Sequence, residues 1–143
     1  MELLKRKNVD YLVQQFWRKG YLTLSRKFGT FLPEPNTVGG FEIDVIARQK
    51  NRYAIGFTID CDEIDNRTLL INKIRFLATR HTRNGSSPVM LFICVKSEIF
   101  KTVKSLLDHL EEDIRKNIRL FQLNEPITGI KKRREEKSPQ LFS

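Results

Sequence analysis

The chain has 143 residues, a formal net charge of +9 and an isoelectric point near 9.8. That length suits one domain with its own core, held without disulfides or a structural metal, and the charge balance points to an anionic partner, nucleic acid ahead of a membrane surface. Repeats and low-complexity stretches are absent, the longest apolar run, Val89 to Val95, is too short to span a bilayer, and no signal-type run opens the sequence, so an intracellular, cytoplasmic protein with no membrane partner is expected. A solvated basic surface with no partner is the plain alternative. Cys61 and Cys94 lie in strand-like apolar runs without CxxC or Cys/His companions, which predicts two small buried thiols in a reducing compartment.

In chain order, Val9, Leu12, Val13 and Phe16 fall at helical spacing, predicting an amphipathic helix over 3–19 that Gly20 ends. Tyr21 to Arg26 alternates as a first strand. Residues 27–40, with Gly29, Pro33, Pro35, Gly39 and Gly40, form a loop long enough to bind a ligand or to be simply mobile. Next, Phe41, Ile43, Val45 and Ala47 alternate with Glu42, Asp44, Ile46 and Arg48, predicting a strand with Glu42 and Asp44 on one side. After the polar Gln49-Lys50-Asn51-Arg52, Tyr53 to Asp60 alternates again, so the pair reads as a β-hairpin.

Asp62, Asp65 and Asn66 offer caps for a helix reaching about Arg80, with Leu70, Ile71, Ile74 and Leu77 on its apolar stripe. Asn84 to Pro88 is a turn, and Val89 to Val95 reads as a strand covered on both faces, near the centre of a sheet. Ser97 can cap a third helix carrying Ile99, Val103, Leu106, Leu107, Leu110 and Ile114, and a last strand spans 118–123. Periodicity then stops. A folded domain over 1–125 and a charged, disordered tail over 126–143 are expected, the tail holding the basic run Lys131 to Lys137. The order α-β-β-β-α-β-α-β predicts an α/β architecture, a mixed sheet whose crossover helices cover both faces.

Gly40, Glu42, Ile43, Asp44, Ile46 and Ala47, together with the helix end Arg18-Lys19-Gly20-Tyr21-Leu22 and this element order, resemble the PD-(D/E)XK nuclease superfamily, and within it the small archaeal Holliday junction resolvases. The hallmark of those relatives reads Gly-Glu-Ile-Asp-Leu-Ile-Ala; here Phe41 is inserted. The resemblance covers residues 5–123 and implies a restriction-endonuclease-like fold. It also implies Mg²⁺ held by an Asp and a Glu on neighbouring strands, with a Lys two residues after the Glu beside the attacking water.

This chain departs from that pattern. Its third strand reads Ile55-Gly56-Phe57-Thr58-Ile59, so whichever register is chosen the Glu is replaced by Gly56 or Phe57 and the Lys by Thr58 or Ile59, and the Glu-x-Lys pair is missing. Asp44 remains as a candidate metal ligand, Asp60 is the candidate second carboxylate, and Lys73 on the following helix is the candidate replacement lysine. Each has a simpler explanation: Asp44 as a strand acid paired with Arg48 or Lys73, Asp60 as a helix cap, Lys73 as a solvated cation. His81 and His109 lack ligand-spaced partners, no phosphate loop is present, and Tyr11, Trp17, Phe28 and Phe31 are aromatics free to stack on bases or to pack locally.

The resulting expectation is a nucleic-acid-binding protein, DNA first, with a degenerate active site and no resident cofactor. Its candidate phosphate contacts are Lys5, Arg6, Lys7, Arg26, Lys27, Arg48, Lys50, Arg52 and Lys73. Two other readings stay open. One is an active Mg²⁺-dependent endonuclease using Asp44, Asp60 and Lys73; the other is an interaction module that docks a protein partner through residues 138–143. The resemblance also allows a homodimer.

Overall fold

A computed structural model describes residues 2–82 and 87–123; the tail over 126–143, its basic run and its docking peptide lie outside them, as does most of the turn at Asn84. Helix α1 (Glu2–Arg18) is followed by β1 (Leu22–Arg26), β2 (Val45–Gln49) and β3 (Arg52–Ile59), then a 3₁₀ turn (Cys61–Asp65) and α2 (Arg67–Ala78). Strand β4 (Met90–Val95), helices α3 (Phe100–Asp108) and α4 (Glu112–Arg115) and strand β5 (Ile118–Gln122) complete the order. The five strands lie side by side in chain order, β1-β2-β3 antiparallel and β3-β4-β5 parallel. The protein is thus α/β with a mixed sheet, β3 in the middle and β4 internal beside it. No helix among the described residues is long and apolar enough to cross a membrane.

Each face of the sheet has its own cover. On one side, Val9, Leu12 and Phe16 of α1 meet Val45, Ala47, Ala54, Phe92 and Cys94. On the other, Leu70, Ile74 and Leu77 of α2 and Val103 and Leu107 of α3 meet Ile55, Phe57, Ile59, Leu91, Ile93 and Val95. Strands β3 and β4 are therefore apolar on both sides, which is why their sequences run almost without polar interruption. Contrary to the expectation that the crossover helices would divide between the faces, both lie on the same one. Two parallel connections stepping in one direction along a sheet stay on one side of it when their handedness is the same, leaving the opposite side to α1 alone.

Three other expectations are corrected. The strand expected from Phe41 begins at Val45: Phe41 only bridges Val38, and Ile43 packs on the α2 side while Val45 and Ala47 pack on the α1 side. The cause is Asp44, whose Oδ2 accepts the Thr58 N–H at 2.9 Å, a donor that would otherwise continue the β2–β3 ladder. The third helix divides into α3 and α4, with Leu110 buried at the break and Glu111 in extended conformation heading the second piece. All six apolar positions keep helical spacing and no Gly or Pro marks the break, so the pattern gave no warning of it. Cys94 is buried as expected, and that burial raises its thiol pKa so that it stays protonated; Cys61 is instead exposed at the head of the 3₁₀ turn.

Two glycines are required by contact. Gly39 has φ +59° and lies under the Phe76 ring. Gly56 faces α1, where an added Cβ would sit 2.9 Å from the Phe16 ring and 3.0 Å from the Phe92 carbonyl oxygen. Phe16 in turn stacks on Phe92, with ring centroids 4.2 Å apart. Gly56→Ala is expected to lose about 1–3 kcal/mol of stability by overpacking this seat, read as a lower urea midpoint with an unchanged m-value.

Candidate functional site

Asp44 stands where β2 begins, at the end of the sheet reached by the carboxyl ends of β3 and β4, and only 3% of its surface is exposed. A carboxylate so placed needs donors, and three elements bring them. Strand β3 supplies the Thr58 N–H at 2.9 Å and the Thr58 hydroxyl at 3.3 Å. Helix α1 supplies Lys5, whose Nζ donates to Asp44 Oδ2 at 3.2 Å and to Thr58 Oγ1 at 2.6 Å. Just past β1, Lys27 places its Nζ 3.8 Å from Asp44 Oδ1 and donates at 2.6 Å to Glu42, while the Lys27 N–H donates to the Asp44 carbonyl. Glu42 and Asp44, expected on one side, are thus an exposed and a buried acid joined by one lysine.

The charges around this cluster are tuned by burial and pairing. Burial alone would lower the Lys27 ammonium, but the Glu42 hydrogen bond and the charges of Asp44, Glu42 and Glu34 together raise it. The same hydrogen bond, and then the Lys27 charge, hold Glu42 below its ordinary value. On the α2 side, Lys73 is lowered by burial against the opposing pull of Glu63 and Asp44, and its Nζ lies 4.1 Å from the centre of the Phe57 ring. Glu63 is raised by burial although it accepts the Asp60 N–H.

The candidate metal and catalytic residues do not assemble around Asp44. Lys73 packs on Phe57, which faces α2, whereas Thr58 and the Asp44 carboxylate face α1; no ion pair joins Lys73 to Asp44. Asp60 heads the 3₁₀ turn and lines a cleft of about 170 Å³ with Leu4, Lys5, Cys61, Asp62 and Lys96, so that Lys5 stands between it and Asp44. Mg²⁺ requires converging oxygens with lone pairs to spare. Here Oδ2 already accepts from Thr58 and Lys5, a second ammonium faces Oδ1, and among the described residues no three His, Cys, Asp or Glu side chains are grouped to hold an ion. These residues do not fit the metal that the resemblance implies.

No known protein family, curated protein or solved structure matches the chain.

The candidate phosphate contacts separate into two sets. Lys5 and Lys27 are committed to Asp44, Arg26 pairs with Asp10, and Lys73 is folded onto Phe57. Arg6, Lys7, Arg48, Lys50 and Arg52 are exposed, with Arg6 near the Phe28 ring. Among the stacking candidates, Trp17 and Phe31 are exposed and Tyr11 and Phe28 are partly buried. The sequence had suggested Arg48 or Lys73 as the partner of Asp44. Lys5, 39 residues away, carried no signal that could have named it.

Asp44→Asn keeps an acceptor for the Thr58 N–H but leaves the Lys5 ammonium without a countercharge and Lys27 with Glu42 alone. It is expected to cost about 1–3 kcal/mol, less than for a fully buried pair because both lysines are about a quarter exposed. Glu63 gives a pH-dependent test. With its folded value raised, the native state binds more protons than the unfolded one above the ordinary 4.5, so the stability it contributes in acid is lost as pH rises through the folded value. Urea titrations should therefore show Glu63→Gln gaining on the parent protein as pH climbs from that region towards neutrality; a constant difference would contradict the assignment.

Proposed function

We propose that the chain is a nucleic-acid-binding domain, DNA its expected partner, built on a restriction-endonuclease-like scaffold whose hydrolytic centre has been replaced by a lysine clamp. The observation that carries this reading is the state of Asp44: the position resembling the family's metal ligand is held by Lys5, Lys27 and Thr58. The neighbouring positions agree. Gly56, which in one of the two registers stands where the resemblance would place a carboxylate, is the seat of Phe16, so a larger side chain would collide with the helix. Thr58, which in that same register stands where it would place a lysine, instead receives the Lys5 ammonium.

Binding follows from the remaining charge. A net charge of +9, with Arg6, Lys7, Arg48, Lys50 and Arg52 exposed, suits attraction to phosphates. Such binding is sensitive to salt. An active endonuclease would require Lys5 and Lys27 to leave Asp44 and a second carboxylate to enter, and the nearest one, Glu42, is itself held by Lys27.

Titration of the full chain against branched, duplex and single-stranded DNA and RNA, with and without Mg²⁺ or Mn²⁺, should give retarded complexes that weaken steeply with salt and intact strands throughout. Metal-dependent cutting that disappears in Asp44→Ala would establish the endonuclease instead, and failure to bind any of the polymers would remove the reading altogether.

A further inference from the structure

The cations left free are not spread evenly. Residues 11–33 and 45–59 contain no Asp or Glu, and the fold brings parts of both stretches to one end of the sheet. Gly20, just past α1, abuts the Gln49 side chain, and Leu22 of β1 is in register with Arg48 of β2, which is in register with Tyr53 of β3. Arg18, the last residue of α1, and Lys19 after it therefore stand beside the β2–β3 turn with its Arg48, Lys50 and Arg52. All five are exposed, and none makes an ion pair among the described residues. This end is opposite the one that holds Asp44, because β2 runs away from Asp44 towards the turn.

An exposed aromatic ring lies three residues before Gly20, at the same end of α1. Trp17, in the last turn of α1, is 74% exposed although large apolar side chains are normally covered, and it lines a shallow hollow with Val13, Gln14 and Arg18. Leu22 beside the cations is 70% exposed. Free guanidinium and ammonium groups at the same end of the fold as an exposed indole provide the two contacts that a single strand takes up: cations for its phosphate chain and a ring for its unstacked bases. A duplex offers the first but hides the second. A membrane surface is less well matched, since the apolar stripe of α1 is buried on the sheet and cannot enter lipid.

We infer that this turn-and-helix end, with Trp17 as its stacking platform, binds single-stranded nucleic acid. The inference rests on the nucleic-acid-binding reading above and places the contact away from the Asp44 clamp. Because Trp17 is the chain's single tryptophan, its fluorescence reports the contact directly.

Short oligothymidylate and oligouridylate should quench that fluorescence in the full chain, and a matched duplex should quench it much less. By anisotropy of a labelled strand, Trp17→Ala and the pair Arg48→Glu with Arg52→Glu should each weaken binding by about tenfold or more, the charge pair also flattening the dependence on salt. Lys101→Glu with Lys104→Glu, the same charge change on exposed positions of α3, should bind like the parent. If the parent binds single strands and the Trp17 and Arg48/Arg52 variants bind equally well, the inference falls while the broader reading stands. If the parent binds no nucleic acid, both fall. Quenching with a blue shift on phosphatidylserine vesicles, and none with oligonucleotides, would assign the surface to lipid and also overturn it.

Discussion

A buried carboxylate has to be answered by donors, and in this protein the answer ties together segments that are far apart in the chain. Asp44 draws Lys5 from the first turns of α1, Lys27 from beyond β1, and both the N–H and hydroxyl of Thr58 from β3. By taking the Thr58 N–H it also ends the β2–β3 ladder and sends Ile43 to the opposite face from Val45. At the far end of α1, Phe16 lies on Gly56 and Phe92. The helix is therefore fixed to the sheet by a polar contact near its start and an aromatic one near its finish.

This arrangement divides the basic residues by task. Lys5 and Lys27 neutralise an internal acid, Arg26 is paired with Asp10, and Lys73 has its charge disfavoured by burial beside Phe57. A count of Lys and Arg gives these the same weight as Arg48, Lys50 and Arg52, which face solvent. The net charge thus overstates the field available from some directions and understates its concentration at the turn end.

Long apolar periodicity was the legible part of the sequence. The stripe of α1, the alternating β3, the continuous β4 and the stripe of α2 all lie where pattern places them, since burial on one or both faces directly imposes those periods. Two features escaped because their causes are tertiary. The strand reading through Phe41 and Ile43 failed at Asp44, where a side chain substituted for a backbone acceptor. The α3–α4 break left Ile99 to Ile114 in unbroken helical spacing. At the candidate site, the absence of Glu-x-Lys could be read from residues 55–59, but neither the lysines that hold Asp44 nor the Phe16 ring above Gly56 could, because those contacts join residues distant in the chain.

The covering of one sheet face by α1 alone sets an order on how the chain can mature. The surface that receives Val9, Leu12 and Phe16 includes Phe92 and Cys94 of β4 and Leu123 after β5, so it is complete only when nearly every described residue has been synthesised. Helix α1 is made before every strand it covers and must wait for β4 and β5, holding an amphipathic stripe open while the α2 side of the sheet can already gather sequence-local contacts. Folding of this domain is therefore closed by a helix that precedes its strands.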